Sequence, residues 1–332
     1  MSQGSFRRVA WTTLAVTLGV ILWGAYVRAT GAGAGCGSHW PTCNGEVLPR
    51  APSVKTLIEY THRLTSGVAF LLTLLQLVWA FRAFPRRHVV RFAAVASMFF
   101  MVTEAAVGAG IVLFERVAGD TSIARGYWMS AHLINTFLLV AAMTLTVLWA
   151  SGGPLPRRSS GTPTYVLVSG LLGVVAVGVT GAIAALGDTL FPAKTLSEGL
   201  AADVSQTAHV FVQLRVYHPI VAGVVAAYLL FETGFVASQR PALLKPARLV
   251  SALVIVQIGA GFLNLILLAP VAMQLVHLLL ADLVWMALVV LTAWSFAEAP
   301  EAASSEPAGS DAALPWSGLT DEFARPKETP PR

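Results

Sequence analysis

Residues 164–187 read TYVLVSGLLGVVAVGVTGAIAALG, with no charged side chain among them. Crossing the hydrocarbon core takes about 20 mostly apolar residues as a helix. Backbone groups in lipid must be satisfied within the segment, so such a run is a helix and not a strand. Seven more runs of this kind follow on either side, at 10–28, 62–84, 91–114, 128–150, 209–237, 247–269 and 271–297. The whole chain of 332 residues is 56% hydrophobic and 12% charged, with a mean hydropathy of +0.70. Soluble chains carry about 25% charged residues. This body therefore excludes cytosolic solubility, intrinsic disorder and nucleic-acid binding, and predicts an all-α integral membrane protein of eight transmembrane helices.

The charges predict its orientation. Arg7 and Arg8 precede the first run, and Arg82, Arg86, Arg87 and Arg91 surround the second connection. Arg157 and Arg158 lie in the fourth connection, and Arg240, Lys245 and Arg248 in the sixth, with no Asp or Glu in these segments. The alternate connections hold Glu46, Glu59, Glu115, Asp120, Asp188, Glu198 and Asp203. Basic residues accumulate in cytoplasmic loops, so both termini are expected in the cytoplasm of a multi-pass cell-membrane (inner or plasma membrane) protein. The net charge of +5 then reflects topology. The first run is longer than a signal-peptide core, and its removal would leave an odd number of helices, so it is expected to stay. Ala269-Pro270 reads as a tight hairpin. The expected units are an N-terminus at 1–9, a four-helix bundle at 10–150, a linker at 151–163, a second bundle at 164–297 and a disordered cytoplasmic tail at 298–332.

The two bundles resemble each other. His62-Arg-Leu-Thr-Ser-Gly67 matches His218-Pro-Ile-Val-Ala-Gly223, Gly108-Ala-Gly110 matches Gly259-Ala-Gly261, and His132 matches His277, at offsets of 156, 151 and 145 residues. An even number of helices per copy makes this a parallel tandem repeat. The small clusters permit close approach of helices or a cofactor, and plain helix packing accounts for each taken alone. His62, His132, His218 and His277 share one depth near the outer side. Ionisable groups inside a membrane are costly and usually functional. Facing imidazoles in a four-helix bundle hold a haem by both axial positions. The alternatives are hydrogen-bonded core histidines, or a bare metal site, for which the second half offers no third ligand. His39, His88 and His209 read as surface or interfacial residues, with a supporting role beside the site left open for His209.

One asymmetry separates the copies. Glu59 precedes His62 by three residues, and Arg215 precedes His218 by three, which places each on its histidine's helical face. A carboxylate near a haem moves protons or stabilises positive charge, and Arg63 and Arg215 are suited to haem propionates. Chemistry is thus expected in the first half, and electron transfer or support in the second. Capping of its helix by Glu59 is compatible with this. Cys36 and Cys43 flank Gly-Ser-His-Trp-Pro-Thr in the first outer loop. The oxidising outer face favours a disulfide there, worth about 2–3 kcal/mol, with a redox-active pair as the alternative.

Arg28-Ala-Thr-Gly-Ala-Gly-Ala-Gly-Cys36, His39-Trp-Pro-Thr-Cys43-Asn-Gly and Glu59-Tyr-Thr-His62-Arg-Leu-Thr-Ser-Gly67 resemble the corresponding segments of haem A synthases, and the likeness extends over residues 10–297. The resemblance implies two related four-helix bundles that oxidise a methyl group of haem O to a formyl group, making haem A for cytochrome c oxidase. It implies His62 and His132 as ligands of the substrate haem O, His218 and His277 as ligands of a haem b cofactor, Glu59 as the catalytic carboxylate and Cys36–Cys43 as a loop disulfide. Successive hydroxylation to a geminal diol that loses water is one route. A haem O synthase as donor, cytochrome oxidase assembly factors, a quinol or other electron partner and a homo-oligomer are the partners it leaves in view. Segment 114–128 looks long for the family. The readings from other classes are a dihaem quinol-oxidising electron carrier and a haem carrier without chemistry.

Overall fold

The computed structural model describes residues 2–156 and 162–297; the expectations for Arg157, Arg158 and the 298–332 tail fall outside them. The described chain is helical, with one isolated bridge between Cys43 and Glu46. Its helices are α1 (Gln3–Ala29), α2 (Val54–Ala83), α3 (Val89–Leu113), α4 (Ile123–Ala150), α5 (Thr162–Leu190), α6 (Leu196–Asp203), α7 (Val210–Arg215), α8 (Tyr217–Gln239), α9 (Leu244–Ile266) and α10 (Val271–Ser295). Counting α7 and α8 together, eight of these stretches are long and apolar enough to cross a membrane. The chain is a multi-pass membrane protein.

The helix starts differ from the apolar runs because capping, and not hydropathy, sets them. Ser2, Ser53 and Ser122 accept from the backbone N–H of Ser5, Thr56 and Arg125. α1, α2 and α4 therefore begin before their apolar stretches, and Glu59 lies inside α2. His88 and His209 cap α3 and α7 through Nδ1, and His209 also stacks on Phe191. The run expected at 209–237 is interrupted at Val216. Pro219 explains the break: it lacks an N–H, and its ring crowds the carbonyl four residues back, which is that of Arg215, the last residue of α7. Short α6, capped by Thr195, had no signature among the apolar runs.

Neighbours in sequence pack as the pairs α1–α2, α3–α4, α5–α8 and α9–α10, while α1, α4, α5 and α10 join the two halves. At that junction Phe137 and Trp285 stack at 4.9 Å, Trp285 Nε1 donates to Phe137 O at 2.8 Å, and Gly178 makes room for the Phe137 ring. Arg28, in the last turn of α1, reaches across to Ala185 O, Thr189 Oγ1 and Gln274 Oε1 at 2.8–2.9 Å. Large apolar side chains such as Phe92, Leu172, Val224 and Phe262 face outward, as lipid contact allows. The tight turn at Leu268 and Ala269, both with positive φ, delivers the expected α9–α10 hairpin.

Candidate functional site

The four histidines lie six to nine residues past the starts of α2, α4, α7 and α10, about 9–14 Å into the bundle at 1.5 Å per residue. All enter from the end that carries the Cys36–Cys43 loop. Each ring faces a glycine on the preceding long helix. A Cβ at Gly24 would lie 2.9 Å from His62, at Gly108 3.8 Å from His132, at Gly181 3.0 Å from His218 and at Gly261 3.1 Å from His277. The other glycines that signalled the repeat behave otherwise. Gly67, Gly223 and Gly259 have nothing within 4 Å, and Gly110 instead receives the Trp128 ring. The matched pair is Gly108 and Gly261, two residues out of the register that the Gly-Ala-Gly clusters suggest.

The donor set fits haem. His218 and His277 stand with ring centres 6.3 Å apart. A metal–imidazole bond is about 2.0–2.1 Å, and two such bonds plus the distance from each nitrogen to its ring centre come to about 6 Å. Nδ1 of His62, His132 and His277 is buried without a hydrogen-bond partner, and such orphans require an explanation in a native interior. His218 Nδ1 has Thr180 Oγ1 at 3.2 Å. Among the described residues no group of three or more His, Cys, Asp or Glu could hold a bare metal ion. If His218 and His277 hold a haem, Gly181→Val should weaken its binding about 5- to 150-fold, from about 1–3 kcal/mol of overpacking. Valine at Gly24 should do the same to the first half, and haem content per chain reads both.

Glu59 is 3% exposed. Its Oε2 accepts from Cys36 N–H at 2.8 Å, and its Oε1 pairs with Arg63 at 2.5 Å. Arg63 also donates to the carbonyls of His39 (2.6 Å) and Thr42 (2.7 Å). Cys36 and Cys43 are disulfide-bonded, and Thr56 Oγ1 donates to Gly35 O at 2.9 Å. The loop is thus fastened to the start of α2 through one carboxylate and one guanidinium. Glu59 shares the helical face of His62 as the spacing implies, and its hydrogen-bond partners are the N–H of Cys36 and the guanidinium of Arg63. Arg215 likewise pairs with Asp188 (2.8 Å) and Asp203 (2.6 Å), with Gly199 O at 3.2 Å.

The connection read as long between Phe114 and Trp128 is shorter, since α4 starts at Ile123. Asp120 accepts from Ser122 N and Oγ, each at 2.9 Å, and pairs with Arg116 at 3.4 Å. Burial opposes its ionisation, but the Ser122 hydrogen bonds and the Arg116 guanidinium outweigh that and hold its carboxyl below the usual range. Arg125 donates to Ala118 O and Asp120 O, which ties this connection to the start of α4.

Three carboxylates lie inside helices and not in the connections: Glu104 on α3, Glu232 on α8 and Asp282 on α10. Glu232 and Asp282 are fully buried, and their carboxylate oxygens have no partner; Gly170 leaves the room that Glu232 occupies. Glu104 on α3 lies 3.4 Å from His132 Nδ1. Their signal was available as acids interrupting otherwise apolar runs.

The family model for cytochrome oxidase assembly proteins, COX15-CtaA, matches residues 7–289. A Thermus thermophilus protein named protoheme IX farnesyltransferase is 50% identical over 285 residues, which cover 85% of this chain and 47% of that protein. The chain thus spans about half the length of the Thermus relatives it matches. Proteins named heme A synthase are similar too. That of Shouchella clausii is 32% identical over 177 residues, 53% of this chain and 58% of its own length. That of Exiguobacterium sibiricum is 30% identical over 213 residues, 64% of this chain and 68% of its own. With helices, histidines and disulfide loop in place, the family match over residues 7–289 makes the chain a member of the COX15-CtaA family of cytochrome oxidase assembly proteins.

Proposed function

We propose that this chain is a haem A synthase, an oxidoreductase that converts the methyl group of haem O to the formyl group of haem A for cytochrome c oxidase. One observation carries the reading. The first half holds a buried carboxylate, Glu59, within a turn of His62, where the second half has Arg215 tied to Asp188 and Asp203. A fixed carboxylate accepts protons from a carbon undergoing oxidation or stabilises positive charge developing on it, whereas a neutralised guanidinium does neither.

In this reading His62 and His132 hold the substrate haem O, and His218 and His277 hold haem b, which supplies one-electron chemistry when bound. The 6.3 Å spacing of His218 and His277 supports the second pair, and the glycines opposite all four rings support a tandem repeat of one four-helix unit. The other residues position and shield. Gly24 and Gly108 admit the imidazoles, the disulfide-bonded loop covers the pocket from water, and Glu59 receives a proton at its carboxylate. Arg63 and Arg215 stand at the same end, where haem propionates would exchange with their present partners. The distribution of Arg and Lys supports cytoplasmic termini and an active site toward the extracytoplasmic face.

A haem O synthase is the proposed substrate donor, supported by the relative of doubled length that carries a farnesyltransferase name. Cytochrome oxidase assembly factors, a quinol or other electron partner and further copies of the chain are the remaining proposed partners. Co-expression with a source of haem O, followed by pigment extraction and chromatography, tests the activity. Haem A in the extract is the expected result. Haem O without haem A overturns the proposal and returns the chain to the electron-carrier or haem-carrier readings.

A further inference from the structure

The four histidines differ in what stands beside the ring. Thr180 Oγ1 is next to His218, Gln257 Nε2 is 3.4 Å from His277 Nε2, and His62 Nδ1 has no partner. Only His132, among the described residues, has a carboxylate against its ring: Glu104 Oε1 lies 3.4 Å from Nδ1. That separation is outside good hydrogen-bond geometry, which is why Nδ1 still counts as an orphan. Contacts to a functional side chain are often long before its ligand arrives and tighten afterwards.

Glu104 is placed with care. Its Oε1 accepts from Thr136 Oγ1 at 2.5 Å, and its Oε2 accepts from Asn135 Nδ2 at 2.6 Å. Asn135 is itself fixed, donating to Phe100 O at 2.9 Å and accepting from Thr103 Oγ1 at 2.6 Å. These contacts clasp α3 to α4 within one turn of His132. Gly108, one turn further along α3, leaves the space that the imidazole fills. The same four-residue spacing on α9 puts Gln257 before Gly261, the glycine facing His277. The two halves therefore differ a second time at matched places, with a carboxylate in the first and an amide in the second.

We propose that Glu104 is a positioning residue for His132, holding the ring through Nδ1 so that Nε2 points into the pocket and making this imidazole the most electron-donating of the four. The inference rests on the reading of His132 as a haem ligand. A carboxylate on the far nitrogen of a ligating histidine fixes its tautomer and orientation and raises its basicity. A more basic axial ligand favours the oxidised iron, and hydrogen bonding around the ligand is one of the levers that set a haem's potential. The haem of the first half should therefore be the harder one to reduce, since a carboxylate faces His132 Nδ1, while His277 Nδ1 has no partner and His218 Nδ1 meets only the hydroxyl of Thr180.

The test uses the full-length protein, purified with the haems it acquires during expression, with redox titration of each haem followed by its absorption bands. Glu104→Gln retains the bonds from Asn135 or Thr136 but removes the charge. The expected result is a positive shift in the potential of the first-half haem, with the second-half haem unmoved. Glu104→Leu loses orientation as well, and haem affinity of the first half should fall about 10- to 100-fold. Restoring the carboxylate with Glu104→Asp should recover part of the negative potential. An unchanged first-half potential in Glu104→Gln overturns the proposal. His132→Ala separates this from failure of the ligand reading. Loss of the first-half haem signal in His132→Ala, with no shift in Glu104→Gln, sinks the positioning role alone. An unaltered first-half haem in His132→Ala sinks the ligand assignment beneath it.

Discussion

Glu59→Gln is expected to keep both haems bound while formyl formation falls about 10²- to 10⁴-fold, the usual worth of a positioned general acid or base. The buried carboxylate also helps anchor the disulfide-bonded loop, through Cys36 N–H and Arg63, so a purely structural role must be told apart. Glutamine still offers an oxygen to the Cys36 N–H, and Arg63 keeps its two loop carbonyls at His39 and Thr42. The loop therefore stays largely in place when the charge is removed. Arg63→Gln makes the complementary change, loosening the same loop while leaving the carboxylate. If the carboxylate does the chemistry, Glu59→Gln is by far the more damaging of the two, with haem content equal in both. Equal losses would mean that the loop, and not the acid, is what matters. Haem A measured per bound haem decides between them.

The second large effect concerns the histidines. His218→Ala and His277→Ala should each weaken haem binding to the second half by more than the 10- to 100-fold attached to an outer partner of a metal ligand, because a direct bond is lost. The cavity left by the imidazole adds to that loss, since His218 packs closely on Gly181 of α5 and His277 on Gly261 of α9. His62→Ala should instead lower haem O capture by the first half and leave the second occupied. Difference spectra of the purified variants would show one class of haem disappearing at a time. Loss of both haems from His218→Ala, with the helical content intact, would contradict two separate sites.

The residues differ in how legible they were. Each of the eight membrane crossings is written locally, in a run long enough to span lipid and free to satisfy its own hydrogen bonds. The depth of the histidines is equally local, a matter of counting from a helix start. Glu59 and the cysteines were visible as motifs, yet the grip of Glu59 on the Cys36 N–H was not. A shared helical face at i and i+3 states what is near and not which partner is strongest. Glu104 went unread because its meaning depends on Asn135 and Thr136, about thirty residues away across a helix pair. Arg28 shows the same dependence at greater range, spanning from α1 to Gln274 on α10.

Taken alone, the amino-acid sequence determined the membrane setting, the number of membrane-crossing runs, the shared depth of four histidines and the acid–base difference between the two halves, since each depends on composition or spacing along one segment. The tertiary structure decided the rotation of each helix about its axis and the register of one helix against the next. Those two quantities set which glycine faces which imidazole, where Glu59 and Arg215 find their partners, and that, among the described residues, His132 is the one of the four with a carboxylate beside it. In lipid, where apolar surfaces offer helices little preference among faces, close packing of small residues and a few interhelical hydrogen bonds make that choice, and neither can be read from one helix at a time.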